Sequence, residues 1–582
     1  MATSSTSFQV NCCIQKNHSA QDRFHHFNVS LASVLKPILR DLPKVPLQID
    51  VSKIMANATT KLLDTLVDSL FEFIDQPLLP SQINFAPVEE LGEVMPITSI
   101  QGGIPHDFPE GVYIRNGPNP IFGRLKSTKS IFGKSNHIWV EGEGMLHALY
   151  LKREINGRWN IVYNNRHVET ETYKIEKQRN KPLFLPAIQG DPPAILSAYL
   201  LNWLRSGKVN KYISNTNVFE HSGKYYSIAE NHCPQEIDIF SLKTLKNWDV
   251  GGAWTRPFIS HPKKAPGTEE LITLGVSPTK PFVEVGIISA NGKKLVRKVD
   301  IKLKRCSLCH EIGITKRYIV ILDFPLTIDL KRLLRGGQLI KYNKEGYARI
   351  GVMPLYGDAD SIQWFEVTPN CTFHIINSFE DDNEVVVLGC RALDSLIPGP
   401  DPSSNEFDSL SRCYEWRLNM QTGQVKEKDL SGAKLPYMDF PMINANFTGL
   451  KNRYGYTQVV DHIASLAAGM PKYRGLAKLY FEEPYSQFSE SKDQIGEAIE
   501  VEYHMFEKNV FCSGATFVPK ETSLEEDDGW IITFVHNEET GGSQVHIIDT
   551  KNFSGETVAK ITMPRRIPYG FHGAFMPMSR KS

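Results

Sequence analysis

The texture of this chain after Phe85-Ala86-Pro87-Val88 constrains its fold more than any other feature. From there on, short β-branched and aromatic runs are cut repeatedly by Gly, Pro, Asn and Asp. Tyr318-Ile319-Val320-Ile321-Leu322, Val385-Val386-Val387-Leu388, Ile531-Ile532-Thr533-Phe534-Val535 and Val545-His546-Ile547-Ile548 are examples. Many short strands with turn signals and few long helical patterns predict an all-β barrel, sandwich or propeller. The length, 582 residues, favours the propeller. Trp248-Asp249 stands alone, so the propellers built on a repeated Trp-Asp signature are not indicated.

Two stretches inside this framework read as helices. Asp191 can cap and Pro193 can occupy the first turn of a helix over 194–205, with Ile195, Leu196, Tyr199, Leu200 and Leu204 apolar. A second, shorter pattern covers 463–470. Helical insertions in a β framework pack over one end, where they can roof a site.

The chain before the strands divides in two. Residues 1–45 form a hydroxyl-rich arm; its first 40 residues hold only one acidic residue, Asp22, the composition of an organelle transit peptide. Residues 46–83 carry an amphipathic helix over 61–75, with Leu62, Leu63, Leu66, Val67, Leu70, Phe73 and Ile74 on one face. Its other face is acidic, which favours docking on the protein's own body over lying on a bilayer, where Lys and Arg are usual. Residues 84–582 are the β domain.

With 65 basic and 65 acidic residues, net charge predicts no nucleic-acid footprint. Nine cysteines without even spacing in so large a chain fit a reducing compartment better than a disulfide framework. No stretch approaches the roughly 18–20 apolar residues that cross a bilayer, so any membrane contact is peripheral.

Chemistry is carried by histidines in strand-and-turn contexts: His261 in Ser260-His261-Pro262, His310 in Cys309-His310-Glu311, His374 in Phe373-His374-Ile375, and His572 in Pro568-Tyr569-Gly570-Phe571-His572. Their separations of 49, 64 and 198 residues are too long for a local metal finger. They suit a closed ring of sheets that turns one side chain per sheet toward a common axis. Spacing alone does not select these four from the 17 histidines, nor does it identify a metal.

Four separated stretches resemble the carotenoid cleavage dioxygenases. They are Pro109-Glu110-Gly111-Val112-Tyr113-Ile114-Arg115-Asn116-Gly117-Pro118-Asn119-Pro120, Glu141-Gly142-Glu143-Gly144-Met145-Leu146-His147, Trp364-Phe365-Glu366 with Phe373-His374, and Pro568-Tyr569-Gly570-Phe571-His572. The resemblance implies a seven-bladed β-propeller with a helical dome over an axial metal site. It implies one non-haem Fe(II) per chain on His261, His310, His374 and His572. Glu230 and Glu415 match by position two of the family's glutamates that accept the free imidazole N–H, and Phe373 and Phe571 match aromatic residues along its substrate path. The third glutamate has no match: Gly514, in Ser513-Gly514-Ala515, stands in its place, and a usually aspartate pair is Glu141 and Glu143 here.

The activity so implied is cleavage of a conjugated double bond of a carotenoid or apocarotenoid by O₂ into two carbonyl products, leaning to the 9,10(9′,10′) bonds. Gly514 motivates a second reading, a catalytically weak carotenoid-binding member of the family, and cleavage of a stilbene-type double bond is a third. The arm points to a plastid, stromal or peripheral to its membranes; the 9,10-cleaving plant enzymes typically lack a transit segment, which makes cytosol the alternative. The sequence leaves the oligomeric state open. One rival motif overlaps the second ligand: Cys306-Ser307-Leu308-Cys309-His310 fits the pattern of covalent c-type haem attachment. No other feature looks like a cytochrome, and these cysteines are expected to be buried strand-edge residues.

Overall fold

In the computed structural model the described residues are 53–123, 126–397, 406–432, 436–482, 498–521, 523 and 525–578. The arm over 1–45 lies outside them. Strand runs form antiparallel sheets, and seven of these groups follow one another around an axis. Blade 1 is ordered Gly573–Pro577, Gly111–Pro118, Gly144–Arg153, Trp159–His167, Met95–Ile97. Blade 2 runs from Asn217–His221 to Thr244–Asn247, blade 3 from Lys263–Lys264 to Leu295–Asp300, blade 4 from Gly313–Ile314 to Gln363–Val367, and blade 5 from Cys371–Asp381 to Val425–Asp429. Blade 6 runs from Met438–Met442 to Glu500–Met505, and blade 7 starts with Val510–Pro519 and ends with Ile100–Gly102 beside Ala559–Thr562.

The core explains why the strands read as continuous apolar runs rather than alternating ones. A blade's middle strands are covered on both faces by its neighbours, so both faces must be apolar. Glu384–Ala392 in blade 5 is buried along nearly its whole length. Ile272 and Val285 of blade 3 pack with Ile319 and Ile321 of blade 4, and Tyr113 and Leu149 of blade 1 pack with Ile532 and Val545 of blade 7. Every neighbouring pair of blades shares such a cluster, the seventh with the first included. Those clusters make the ring closed.

Closure also has a covalent-order device. The C-terminal strand Gly573–Pro577 pairs with the first long strand, Gly573 opposite Arg115 and Pro577 opposite Gly111. The first and last of the family-like stretches are therefore neighbours in space, and Phe571 N–H donates to the Asn116 carbonyl at 2.9 Å.

Helices collect over one end. They are α1 (Lys53–Leu70), α2 (Glu171–Arg179), α3 (Pro192–Ser206), α4 (Leu330–Leu334) and α5 (His462–Ala468). The helix predicted over 61–75 ends at Leu70; Phe71–Asp75 is a strand paired with Lys126–Ser130. Its alternating Phe71, Phe73 and Asp75 suit a strand as well as a helix end, and the neighbouring strand decides. Helix α1 docks on the protein's own body, as its acidic face predicted. Val67 is buried with Leu185, Ala198 and Leu201, while Asp64 accepts from Arg205 Nε at 2.9 Å and pairs with Arg179. Helix α3 matches its predicted span, with Pro at its start and Gly207 in a left-handed C-cap. Asp191, at its N-cap position, accepts instead from the Lys134 backbone N–H at 2.8 Å. No helix among the described residues is long and apolar enough to cross a membrane.

Candidate metal centre

Each inner strand begins or passes at the axis, and four of them carry a histidine there. His261 precedes the blade 3 strand Lys263–Lys264 by one proline, His310 precedes Gly313–Ile314 of blade 4, His374 lies within Cys371–Asp381 of blade 5, and His572 directly precedes Gly573–Pro577 of blade 1. One ring nitrogen of each lies within 4.8 Å of all the others. Four nitrogens around one ion at about 2.1 Å would stand roughly 3–4 Å apart, so the set closes on an ion with small adjustments.

The electrostatics suit a cation. Burial, followed by the neighbouring histidines, drives His261 and His572 well below the ordinary imidazole range, which keeps both neutral with a lone pair to offer. The Nε2 atoms of His261 and His374 are buried and accept or donate no hydrogen bond among the described residues. Buried polar atoms left this way are costly unless something binds them. Two rings are fixed from behind. His310 Nδ1 is paired with Glu230, and His374 Nδ1 with Asp439 Oδ1 at 2.7 Å. Burial pushes both carboxyls up, but the adjoining imidazoles outweigh it and hold both below their usual values.

Glu230 follows the blade 2 strand Lys224–Ile228 and is the carboxylate paired with His310 Nδ1. Glu415 pairs with no histidine among the described residues. It lies on the third strand of blade 5, two strands out from the axis, where it pairs with Arg417 at 3.1 Å. The carboxylate on His374 comes from Asp439, on the inner strand of blade 6, held also by Ser411 Oγ at 3.1 Å. Tyr437-Met438-Asp439-Phe440-Pro441, an acidic residue before an aromatic and a proline, was the sequence signal for it.

The blade 7 counterpart is Gly514, in a register break between Ser513 and Thr516. Its φ is +72°, and a Cβ there would meet Arg115 Cγ at 2.4 Å. The arginine stem fills the space that a side chain at 514 would need. Glu141 and Glu143 are not ligands: Glu141 accepts from Ile138 N–H at 2.9 Å, and Glu143 accepts from Ile121 N–H and pairs with Lys211 at 2.7 Å.

Phe373 stacks on the His310 ring at 4.9 Å, and Phe571 meets Trp139 edge-on at 5.0 Å. Sequence reasoning missed Phe440, which stacks on His572 at 4.6 Å. It also missed Glu311, which pairs with Lys263 and accepts from Ile375 N–H at 2.7 Å. Beside the histidines lies a cavity of about 120 Å³ lined by Lys263, Glu311, Asn377, Pro441 and Met442 among others. The haem-like cysteines are occupied elsewhere. Cys306 Sγ donates to the Ser277 carbonyl and Cys309 Sγ to that of Leu322, both at 3.2 Å, and burial pushes the Cys306 thiol up to about 12. Neither is free to form a thioether.

Comparison with known proteins agrees with this architecture. The family model described as RPE65, retinal pigment epithelial membrane protein, matches residues 85–577. The chain is 32% identical over 546 residues to a carotenoid 9,10(9′,10′)-cleavage dioxygenase of Crocus sativus, covering 90% of this chain and 94% of that one. It is 30% identical to a probable carotenoid cleavage dioxygenase 4, chloroplastic, of Arabidopsis thaliana, over 89% and 85% of the two chains. Among solved structures, the lignostilbene dioxygenase of Pseudomonas brassicacearum superposes with a TM-score of 0.72 at 20% identity, over 87% of this chain and all of that one. The propeller, its axial histidines and these matches together place the chain in the RPE65 family of carotenoid oxygenases.

Proposed function

We propose that the protein is an Fe(II)-dependent dioxygenase that cleaves one conjugated double bond of a carotenoid or apocarotenoid, with 9,10(9′,10′) cleavage favoured by the relatives' activity. The reaction adds both atoms of O₂ across the bond: one C=C is lost and two C=O groups form. The observation that carries the reading is the convergence of four imidazoles, His261 and His374 buried and His310 and His572 half-buried, two of the four braced by carboxylates, in a chain of this family.

Bound there, iron would supply the means of bringing triplet O₂ into reaction with a closed-shell alkene. The chain's own residues do the rest. His261, His310, His374 and His572 would hold the ion and, as neutral ligands, leave its charge uncompensated. Glu230 and Asp439 fix the tautomer and rotation of two rings by accepting their Nδ1–H. Phe373, beside His310, and Phe571, against Trp139, offer flat apolar walls suited to a polyene with few polar handles. Carboxylates near the centre are occupied by histidine or Lys263, and no general base is needed.

The relatives named chloroplastic and the transit-like arm support a plastid location. Exposed Leu62, Leu66 and Ile463 on α1 and α5 support a peripheral contact with its membranes.

The test is product mass. The full chain is given Fe(II), O₂ and a C40 carotenoid, with His374→Ala alongside. Aldehyde or ketone fragments from the native protein alone establish the activity, and their masses name the bond. Intact carotenoid in both, with a competent relative active in the same detergent, overturns it; a parallel assay on a stilbene separates that substrate class.

A further inference from the structure

Phe440 is a bulky side chain on left-handed backbone, φ +53°. Such residues are genuine outliers, costing about 1–3 kcal/mol, and they persist where the surroundings over-determine them. Phe440 also precedes Pro441, a position that normally drives the residue before it into extended backbone. The strain sits at a break in register: Asp439 faces Gln458 and Met442 faces Tyr456, so two residues, Phe440 and Pro441, stand opposite the single Thr457 of the next strand.

A register break re-aims side chains, and here its effect is visible. In a regular strand Asp439 and Phe440 would point to opposite faces. Instead both reach the histidines. Asp439 Oδ1 takes the His374 Nδ1–H at 2.7 Å and also the Phe440 backbone N–H at 2.8 Å. The Phe440 ring lies 4.6 Å from the His572 ring at an interplanar angle of 27°, and 4.9 Å from that of His374. Tyr473 backs it edge-on at 5.4 Å.

His572 needs such a contact. His310 has Glu230 and His374 has Asp439, but among the described residues no carboxylate pairs with His572. The blade 7 position that could carry one is Gly514, and Arg115 fills its space.

We propose that Phe440 is a positioning residue of the metal centre: its ring holds His572 by stacking, as carboxylates hold His310 and His374, and its left-handed backbone aims Asp439 at His374. The inference rests on the reading that the four histidines bind iron. It gives the strained dipeptide two ligands to orient, from blades 5 and 1, and accounts for a centre that tolerates glycine at 514.

The test uses the full-length protein and measures Fe(II) affinity anaerobically by chelator competition, together with the visible spectrum of the Co(II)-loaded protein, which reports ligand geometry. Phe440→Ala and Phe440→Leu should each weaken Fe(II) binding roughly 10- to 100-fold and alter the Co(II) bands. Phe440→Tyr, which keeps the ring, should retain both. Leucine fills much of the volume without a ring face, so it carries the test if the alanine variant does not fold. Native affinity and an unchanged Co(II) spectrum in Phe440→Leu overturn the inference. A native protein that takes up neither ion overturns the iron reading itself, and this one with it.

Discussion

Gly514 and Arg115 exclude one another's alternatives: the arginine stem passes so close that a Cβ on residue 514 would fall 2.4 Å from Cγ and 2.5 Å from Cδ. The arginine cannot simply swing away. Its Nη1 donates to the Pro568 carbonyl at 2.6 Å and to Ser513 Oγ at 3.0 Å, and it is buried between blades 1 and 7.

Restoring the family's glutamate is therefore expected to damage the protein. Gly514→Glu pays for left-handed backbone, about 1–2 kcal/mol, and for overpacking, about 1–3 kcal/mol. Denaturant unfolding of the two proteins should show a loss of roughly 2–5 kcal/mol and no gain in turnover. A variant as stable as the native protein and more active would contradict the geometry.

The ring of blades was legible because each middle strand had to be apolar on both faces, which wrote Val385-Val386-Val387-Leu388 and its like into the sequence. Of the four histidines, His374 and His572 lie in stretches that carry the family resemblance, whereas His261 and His310 came only from the positions it implies, since nothing local distinguishes His261 from the other histidines. Glu415 misled because strand order is set by long-range pairing. Arg412–Asn419 reads as a strand, but only its place beside Glu384–Ala392 puts it away from the axis. Asp439 was signalled only by the short run Tyr437-Met438-Asp439-Phe440-Pro441, and the left-handed backbone of Phe440 that aims it leaves no trace in residue type.

Those placements separate two carboxylates by experiment. Asp439→Asn should lower Fe(II) affinity by roughly 10- to 100-fold, as should Glu230→Gln. Glu415→Gln should leave it unchanged, since its partner is Arg417. Metal titrations of the three variants decide the matter; equal losses for Glu415 and Asp439 would sink the assignment.

A pH dependence follows from the buried acids around Lys211. Burial pushes the Glu141 carboxyl up to about 7, and the charge on Glu143 adds to it, against the Ile138 N–H and Lys211. The folded protein thus holds a proton that the unfolded chain has released. The resulting stabilisation is complete below about pH 4.5 and disappears as pH rises through 7. From this group, on the order of 2–3 kcal/mol should be lost between pH 5 and 8. Glu141→Gln keeps an acceptor for Ile138 and cannot ionise, so its unfolding free energy should fall less over that range. Parallel slopes for the two proteins would refute the assignment.

Metal binding should stabilise the ring, because the four histidines come from blades 1, 3, 4 and 5. An ion at a hundredfold excess over its dissociation constant adds about 2.7 kcal/mol to unfolding. Denaturant unfolding under anaerobic conditions, with Fe(II) or with chelator, should show that increment in the native protein. His261→Ala and His374→Ala should both lose it, but their metal-free forms should differ. Removing His261 deletes a buried ring whose Nε2 has no hydrogen-bond partner among the described residues. Removing His374 leaves the buried Asp439 carboxylate without the imidazole N–H that held it, a further cost of about 1–3 kcal/mol. The chelated His374→Ala protein should therefore unfold at lower denaturant than the chelated His261→Ala protein. The reverse order would mean that Asp439 does not depend on His374 for its burial.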